Sequence, residues 1–227
     1  IGFIGKNTML ITREFGSFVY LGELITNIPF EPDQLLEESC GDCRLCLDAC
    51  PTGALVQGGQ LNAKKCLAYL EEQFRVKLGT RIYGCDTCQL VCPWNKQIDF
   101  HLHEEFEPEP EIAKPKLKPM LSMSNREFRE TFGHVSGAWR GKKPLQRNAI
   151  IGLAHFKDET AIKDLVEVLK QDVRPVIRGT AAWALGRIGT KEAYEALEEA
   201  RLTETDKQVV CEIERAQSMI TRKVIQE

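Results

Sequence analysis

Three short apolar runs punctuated by glycine open the chain. Ile1 to Ile4, Met9 to Thr12 and Phe18 to Leu21 are bounded by Gly5, Gly16 and Gly22, which predicts strands at the end of an α/β domain over residues 1–39. Residues 40–98 replace that pattern with dense cysteine, and short helices are expected after Pro51 and around Lys64 to Phe74. Pro108, Pro110, Pro115 and Pro119 then predict a stiff, extended linker over 99–123. From 124 to 227 the apolar spacing is helical. Ser124, followed three residues later by Glu127, reads as a capping box. Residues 144–171 superpose on 175–202: Ala149 to Ala154 answers Ala181 to Gly186, and Ala161 to Leu169 answers Ala193 to Arg201. A third, degenerate copy runs from Asp206 to Ile220. Helical pairs repeating at this period predict HEAT-like units, each burying its apolar face on the next.

Composition adds little: 43% hydrophobic and 28% charged residues are ordinary for a globular protein, and no apolar run reaches the 18 or so residues of a membrane span. Ile1 to Tyr20 reads as core sequence instead of a secretory leader, so the chain is expected to begin inside a domain. Charge adds more. Residues 99–111 hold six acidic residues and no Lys or Arg, whereas 112–147 hold nine Lys or Arg against two acidic residues. That basic segment is either a solvated linker or a surface for a polyanion such as nucleic acid.

Eight of the nine cysteines fall between 40 and 92. Cys40, Cys43, Cys46 and Cys50, with Pro51 next, match the C-x2-C-x2-C-x3-C-P run of bacterial iron-sulfur proteins. Cys66, Cys85, Cys88 and Cys92, with Pro93 next, form a second set. Three thiolates two residues apart can wrap one cube, while the fourth, ahead of a proline that opens a helix, points toward the neighbouring cluster. The expected ligand sets are therefore Cys40, Cys43, Cys46 and Cys92 for one 4Fe-4S cluster, and Cys66, Cys85, Cys88 and Cys50 for the other. Structural zinc needs fewer ligands, and disulfides suit an oxidising compartment. Cys211, far downstream, is expected to be a small buried hydrophobe. His101 and His103 flank Leu102 in the acidic stretch and are expected to lie in a solvated loop.

The stretches IGKNTMLI (4–11), GSFVYLGELIT (16–26), CGDCRLCLDACPTGAL (40–55), TRIYGCDTCQLVCPWNK (80–96), FRETF (128–132) and LQRNAIIGLA (145–154) resemble the epoxyqueuosine reductases, over what would be their C-terminal two-thirds. The resemblance implies an α+β multidomain fold: a C-terminal remnant of an α/β cobalamin-binding domain (1–39), a two-cluster ferredoxin-like module (40–98), a linker (99–123) and a HEAT-like helical repeat domain (124–227). It implies reduction of epoxyqueuosine to queuosine in tRNA, with electrons passing from an external donor through two 4Fe-4S clusters to cobalamin. It places Gly5, Lys6, Asn7, Gly16, Ser17 and Asp86 beside the corrin. The basic segment then suggests Arg140, Lys142, Lys143, Arg147 and Asn148 as contacts to the anticodon stem-loop. The family's proton-donating Asp would precede Ile1, so no catalytic residue is expected in this chain, which by itself is expected to be inactive. Cys66 and Cys85 are separated by only 18 residues, a shorter segment than is usual in such proteins. A monomer in the cytoplasm is expected. The competing readings are a reductive dehalogenase, which shares the cobalamin and two-cluster parts, and a non-enzymatic ferredoxin-like electron carrier.

Overall fold

Glycine does punctuate strands near the start of the chain, but only two form, and each is two residues long. In the computed structural model β1 (Phe3–Ile4) pairs antiparallel with β2 (Leu10–Ile11), Phe3 opposite Ile11 and Ile4 opposite Leu10. The turn between them is closed by Gly5 N–H to Met9 O and Thr8 N–H to Gly5 O, with Thr8 at a φ of 67°. Description covers residues 1–226 except 35, 70–74, 97 and 99–103, and omits the side chains at 106 and 223–226. His101 and His103 thus lie outside the described residues.

The chain divides into two units, Ile1–Lys77 with Gly84–Glu107, and Leu78–Tyr83 with Pro108–Glu227. Within the first, the third expected strand is absent: Phe18 to Leu21 has no ladder partner, and residues 17–34 form neither strand nor helix. An isolated strand cannot satisfy its backbone groups. The separate α/β element expected over 1–39 is therefore reduced to one hairpin belonging to the same unit as the cysteines. Tyr20, Leu24 and Ile25 are more than four-fifths exposed.

Helix α1 (Leu45–Ala49) follows the first cysteines. After Pro51 comes a hairpin, not the expected helix. Strands β3 (Leu55–Gln57) and β4 (Gln60–Leu61) are joined across Gly58-Gly59, with Gly59 at a φ of 76°. A Gly-Gly pair between apolar runs is a two-residue hairpin signal, and it prevails over the helix start offered by proline. Helices α2 (Arg75–Leu78) and α3 (Thr87–Leu90) follow.

The second unit begins earlier than the periodicity suggested. Within the expected linker lie α4 (Pro110–Ala113) and α5 (Leu117–Ser122). Leu117, Met120 and Leu121 share one helical face, and Met120 and Leu121 are buried in the same apolar cluster as the repeats. Proline is compatible with the first turn of a helix, so Pro119 does not prevent it. Helix α6 (Asn125–Phe132) carries both arms of its capping box, Glu127 N–H to Ser124 Oγ at 3.1 Å and Ser124 N–H to Glu127 Oε2 at 2.7 Å.

Five helices complete the unit: α7 (Lys142–Phe156), α8 (Ile162–Gln171), α9 (Pro175–Ile188), α10 (Lys191–Thr203) and α11 (Lys207–Gln226). Equivalent repeat positions are buried alike: Ala149 with Ala181, Leu153 with Leu185, Ala161 with Ala193, and Leu165 with Leu197. Cys211 departs from its expectation and is exposed. On α11 the buried face is Val209, Ile213, Ala216 and Ile220, and a residue two positions from Val209 and from Ile213 falls on the opposite side.

Arg178 grips Glu204 with two bonds, Nε to Oε2 at 2.7 Å and Nη2 to Oε1 at 2.8 Å. This guanidinium holds the Glu204 carboxyl below its ordinary value of 4.5. A depressed folded value contributes stability above the unfolded value that is lost as pH falls through the folded one. Stability of the helical unit is therefore expected to fall on acidification below about pH 4.5, and Glu204→Gln to flatten that acid limb while lowering stability at neutral pH. Thermal melts across pH provide the check, and an acid limb identical in both proteins is the contrary result.

Candidate metal centres

Cys40 and Cys43 come from the loop entering α1, Cys46 from the second position of α1 itself, and Cys92 from just after α3, immediately before the 3-10 turn Pro93–Asn95 with proline in its first position. All four sulfur-bearing residues line one small cavity together with Lys6 and Asn7. Burial raises the Cys92 thiol, and the neighbouring Cys40 and Cys43 raise it further. Burial likewise raises Cys46, with Cys40 and Cys43 adding to it. The fourth cysteine of the second set thus sits with the first three of the other.

On the second set, burial pushes the Cys88 thiol up to about 11, with Cys85 the next contribution and Cys46 and Cys50 behind it. Burial also raises Cys50, but the N–H groups of Leu55, Thr52 and Ala54 outweigh it, and its thiol lies below the ordinary range. Ala54 N–H donates to Cys50 Sγ at 3.2 Å. None of the eight cysteines is joined in a disulfide. A thiolate, not a thiol, ligates metal, so binding releases these protons, and clustered thiolates require a cationic centre among them. The donor set, Cys40, Cys43, Cys46 and Cys92 around one cavity and Cys85 and Cys50 near Cys88, is the soft sulfur type that suits iron-sulfur clusters.

The residues expected beside a corrin also bond within this module. Lys6 Nζ donates to Gly41 O and Cys43 O. Asn7 is buried, at 2% exposure, and its Nδ2 donates to Cys88 O. Gly16, at a φ of 59°, lies where any Cβ would collide with Asn95 Oδ1 and Trp94 O. Ser17 N–H donates to Asn95 Oδ1 at 2.7 Å, and Ser17 Oγ donates to Gln89 Oε1 at 3.0 Å. Asp86, in a left-handed conformation ahead of α3, accepts from Gln89 Nε2. Gln89, Asn95 and Trp94, whose ring meets Phe3 edge-on at 5.3 Å, were not singled out in the sequence. The CPWN run was visible, but only the turn after Cys92 shows that its Asn faces Ser17.

The expected nucleic-acid contacts divide. Asn148 is fully buried, its Nδ2 donating to Ile82 O at 2.8 Å. Arg147 is 9% exposed, and its guanidinium donates to Asn148 Oδ1. Lys142 Nζ donates to Met123 O. Arg147 and Asn148 are corrected from surface contacts to internal ones, because α7 is covered along most of its circumference. Lys143 is exposed and Arg140 half-exposed.

Residues 39–95 match the family of 4Fe-4S double cluster binding domains, and residues 140–216 match HEAT repeats. The chain is 61% identical over 222 residues to an epoxyqueuosine reductase of Bacillus subtilis, covering 95% of this chain and 58% of that protein. It is also 61% identical, over 214 residues, to a Geobacillus stearothermophilus protein described as an uncharacterized protein in the gldA 3' region, spanning 91% of this chain and 99% of that one. The crystal structure of an epoxyqueuosine reductase with an epoxyqueuosine-modified tRNA-Tyr stem loop superposes with a TM-score of 0.91 at 59% identity, over 97% of this chain and 60% of that one. The chain thus spans less than two thirds of the named reductases. At about 60% identity over nearly its whole length, the chain matches epoxyqueuosine reductases in sequence and fold across the part of them that it spans.

Proposed function

We propose that the chain carries the electron-relay and RNA-docking parts of an enzyme that reduces epoxyqueuosine to queuosine at the wobble position of tRNA. The observation that carries this reading is the crossed cysteine arrangement, Cys92 in one cavity with Cys40, Cys43 and Cys46, within a chain closely similar to named reductases. The clusters would supply one-electron transfer from an external donor. The chain's own part is to hold the thiolates in fixed loops, to bury Cys46 and Cys92 away from water, and to donate backbone N–H groups to Cys40 and Cys50 sulfurs.

Cobalamin, which the family resemblance adds, would supply the cobalt chemistry that removes the epoxide oxygen. Lys6, Asn7 and Ser17 also bond within the cluster module, and the support for cobalamin is the resemblance alone. On this reading activity depends also on the part of the relatives' length that the chain does not span. Among the described residues no helix is long and apolar enough to cross a membrane.

The RNA-facing part of the basic segment is Arg140 and Lys143, half-exposed and exposed respectively. Neutralising phosphates releases counterions, so affinity for a modified stem-loop is expected to fall linearly on a log-log salt plot, by about 0.9 per duplex phosphate contact. Arg140→Ala with Lys143→Ala is expected to lower that slope by up to about two contacts' worth. Lys142→Ala is expected to lower the slope less, because its ammonium is turned to Met123 O. Fluorescence anisotropy with the reconstituted chain measures this. A double variant with the parental slope would show the basic segment to be a solvated surface.

A further inference from the structure

Two adjacent side chains in the turn between β1 and β2 diverge onto different cysteine loops. Lys6 makes three donations to the first: its N–H to Cys40 Sγ at 3.3 Å, and its Nζ to Gly41 O at 2.5 Å and Cys43 O at 2.9 Å. Asn7 reaches the second, Nδ2 to Cys88 O at 3.4 Å, while its Oδ1 accepts Met9 N–H. Lys6 is seated from another side by the β3–β4 hairpin. Gly59 N–H donates to Lys6 O at 3.1 Å, and the Lys6 stem lies so close over Gly58 that a Cβ there would collide with it. Thr8, at a φ of 67°, turns the chain back so that consecutive residues face apart.

We infer that Lys6 is a positioning residue that sets the reduction potential of the cluster on Cys40, Cys43, Cys46 and Cys92, and that Lys6 and Asn7 together tie the two cluster loops to one turn. The inference rests on the two-cluster reading above. Reduction adds negative charge to a cluster already carrying four thiolates, and hydrogen bonds to sulfur and nearby positive charge favour the reduced form. Lys6 supplies both: a backbone N–H on a ligand sulfur, and an ammonium bound to carbonyls of the same loop. The ammonium lies in a half-buried setting, where Coulomb interactions are weakened less than in bulk water. Asn7 is nearly fully buried, so its bond to Cys88 O is shielded from competing water.

The test is a redox titration of the anaerobically reconstituted full chain, followed by electron paramagnetic resonance, with iron measured on the same samples. Lys6→Met is expected to hold the parental iron while one of the two clusters becomes about tenfold harder to reduce, which is about 59 mV for one electron. Lys6→Arg restores most of the shift, and the second cluster stays where it was. Lys6→Gln, which can still donate to the Gly41 and Cys43 carbonyls without charge, is expected to fall between the two and decides the matter if Lys6→Met binds less iron. Parental iron with both potentials unmoved in the Met and Gln variants overturns the inference and leaves the two-cluster reading intact. An unaltered chain that binds iron for one cluster only overturns both.

Discussion

Anaerobic reconstitution is expected to load the chain with about eight irons and about eight acid-labile sulfides, and removing either crossed cysteine should disturb the cluster of the other motif. Cys92→Ala is expected to perturb the cluster held by Cys40, Cys43 and Cys46, whose cavity Cys92 shares. Cys50→Ala is expected to perturb the one on Cys66, Cys85 and Cys88, because the Cys88 thiol feels Cys50 as well as Cys85. Each single variant thus loses up to half the bound iron, and the spectrum of the remaining half identifies which cluster survived. Stoichiometric zinc, or four irons after full reconstitution, would count against two clusters. Survival of the opposite cluster in each variant would falsify the crossed assignment while leaving the iron count untouched.

A second large effect is expected from one methyl group placed at two sites on α9. Alanine is favoured over glycine in a helix interior by about 1 kcal/mol, so Gly→Ala in a helix stabilises unless something occupies the new Cβ. At Gly179 the nearest atoms are side-chain carbons of Glu212 at 3.7 and 4.0 Å, ordinary contact with a group that can move. At Gly186 the new Cβ would lie 2.7 Å from both Cα and Cβ of Ala216, with the Ala216 carbonyl also close. The backbone of α11 would have to shift, and such overpacking costs about 1–3 kcal/mol or more. Gly179→Ala is therefore expected to raise the melting midpoint and Gly186→Ala to lower it. The two should differ by roughly 10 °C, given a few degrees per kcal/mol in a unit of this size. Melts of the full chain followed by far-ultraviolet circular dichroism decide it, and equal midpoints would mean that α9 and α11 do not approach as closely as described.

The exposed and buried halves of the basic segment show where reading residues one at a time runs out. Arg140, Lys142, Lys143, Arg147 and Asn148 look alike in sequence, as a polar run opening a helix. Packing of α7 against α5 and α9 turns Gln146, Arg147 and Asn148 inward, and their polar atoms find partners at Leu121 O, Arg174 and Ile82 O. Buried polar groups require such partners, and the carbonyls that satisfy them come from segments 25 to 66 residues away. Nothing local signals that. The same limit explains α5, whose apolar face was concealed by neighbouring prolines, and Cys211, whose side of α11 depends on which face the preceding repeat covers.

The sequence by itself determined those features whose physics is local or periodic. The capping box at Ser124 depends on residues three apart, the ligand loops on cysteines two apart, and the repeat on alanines and leucines recurring 32 positions later, all buried as aligned. The place of Cys92 beside Cys40, Cys43 and Cys46 agrees with the exchange of fourth ligands expected from the sequence, where proline restricts the backbone just as the thiolate must leave its own loop. Only the tertiary structure decided which polar residues face inward, how closely Gly186 admits α11, and where Lys6 and Asn7 spend their donors. Each of these depends on backbone atoms brought together from distant parts of the chain, and hydrogen bonding and steric exclusion act on distance in space regardless of separation in sequence.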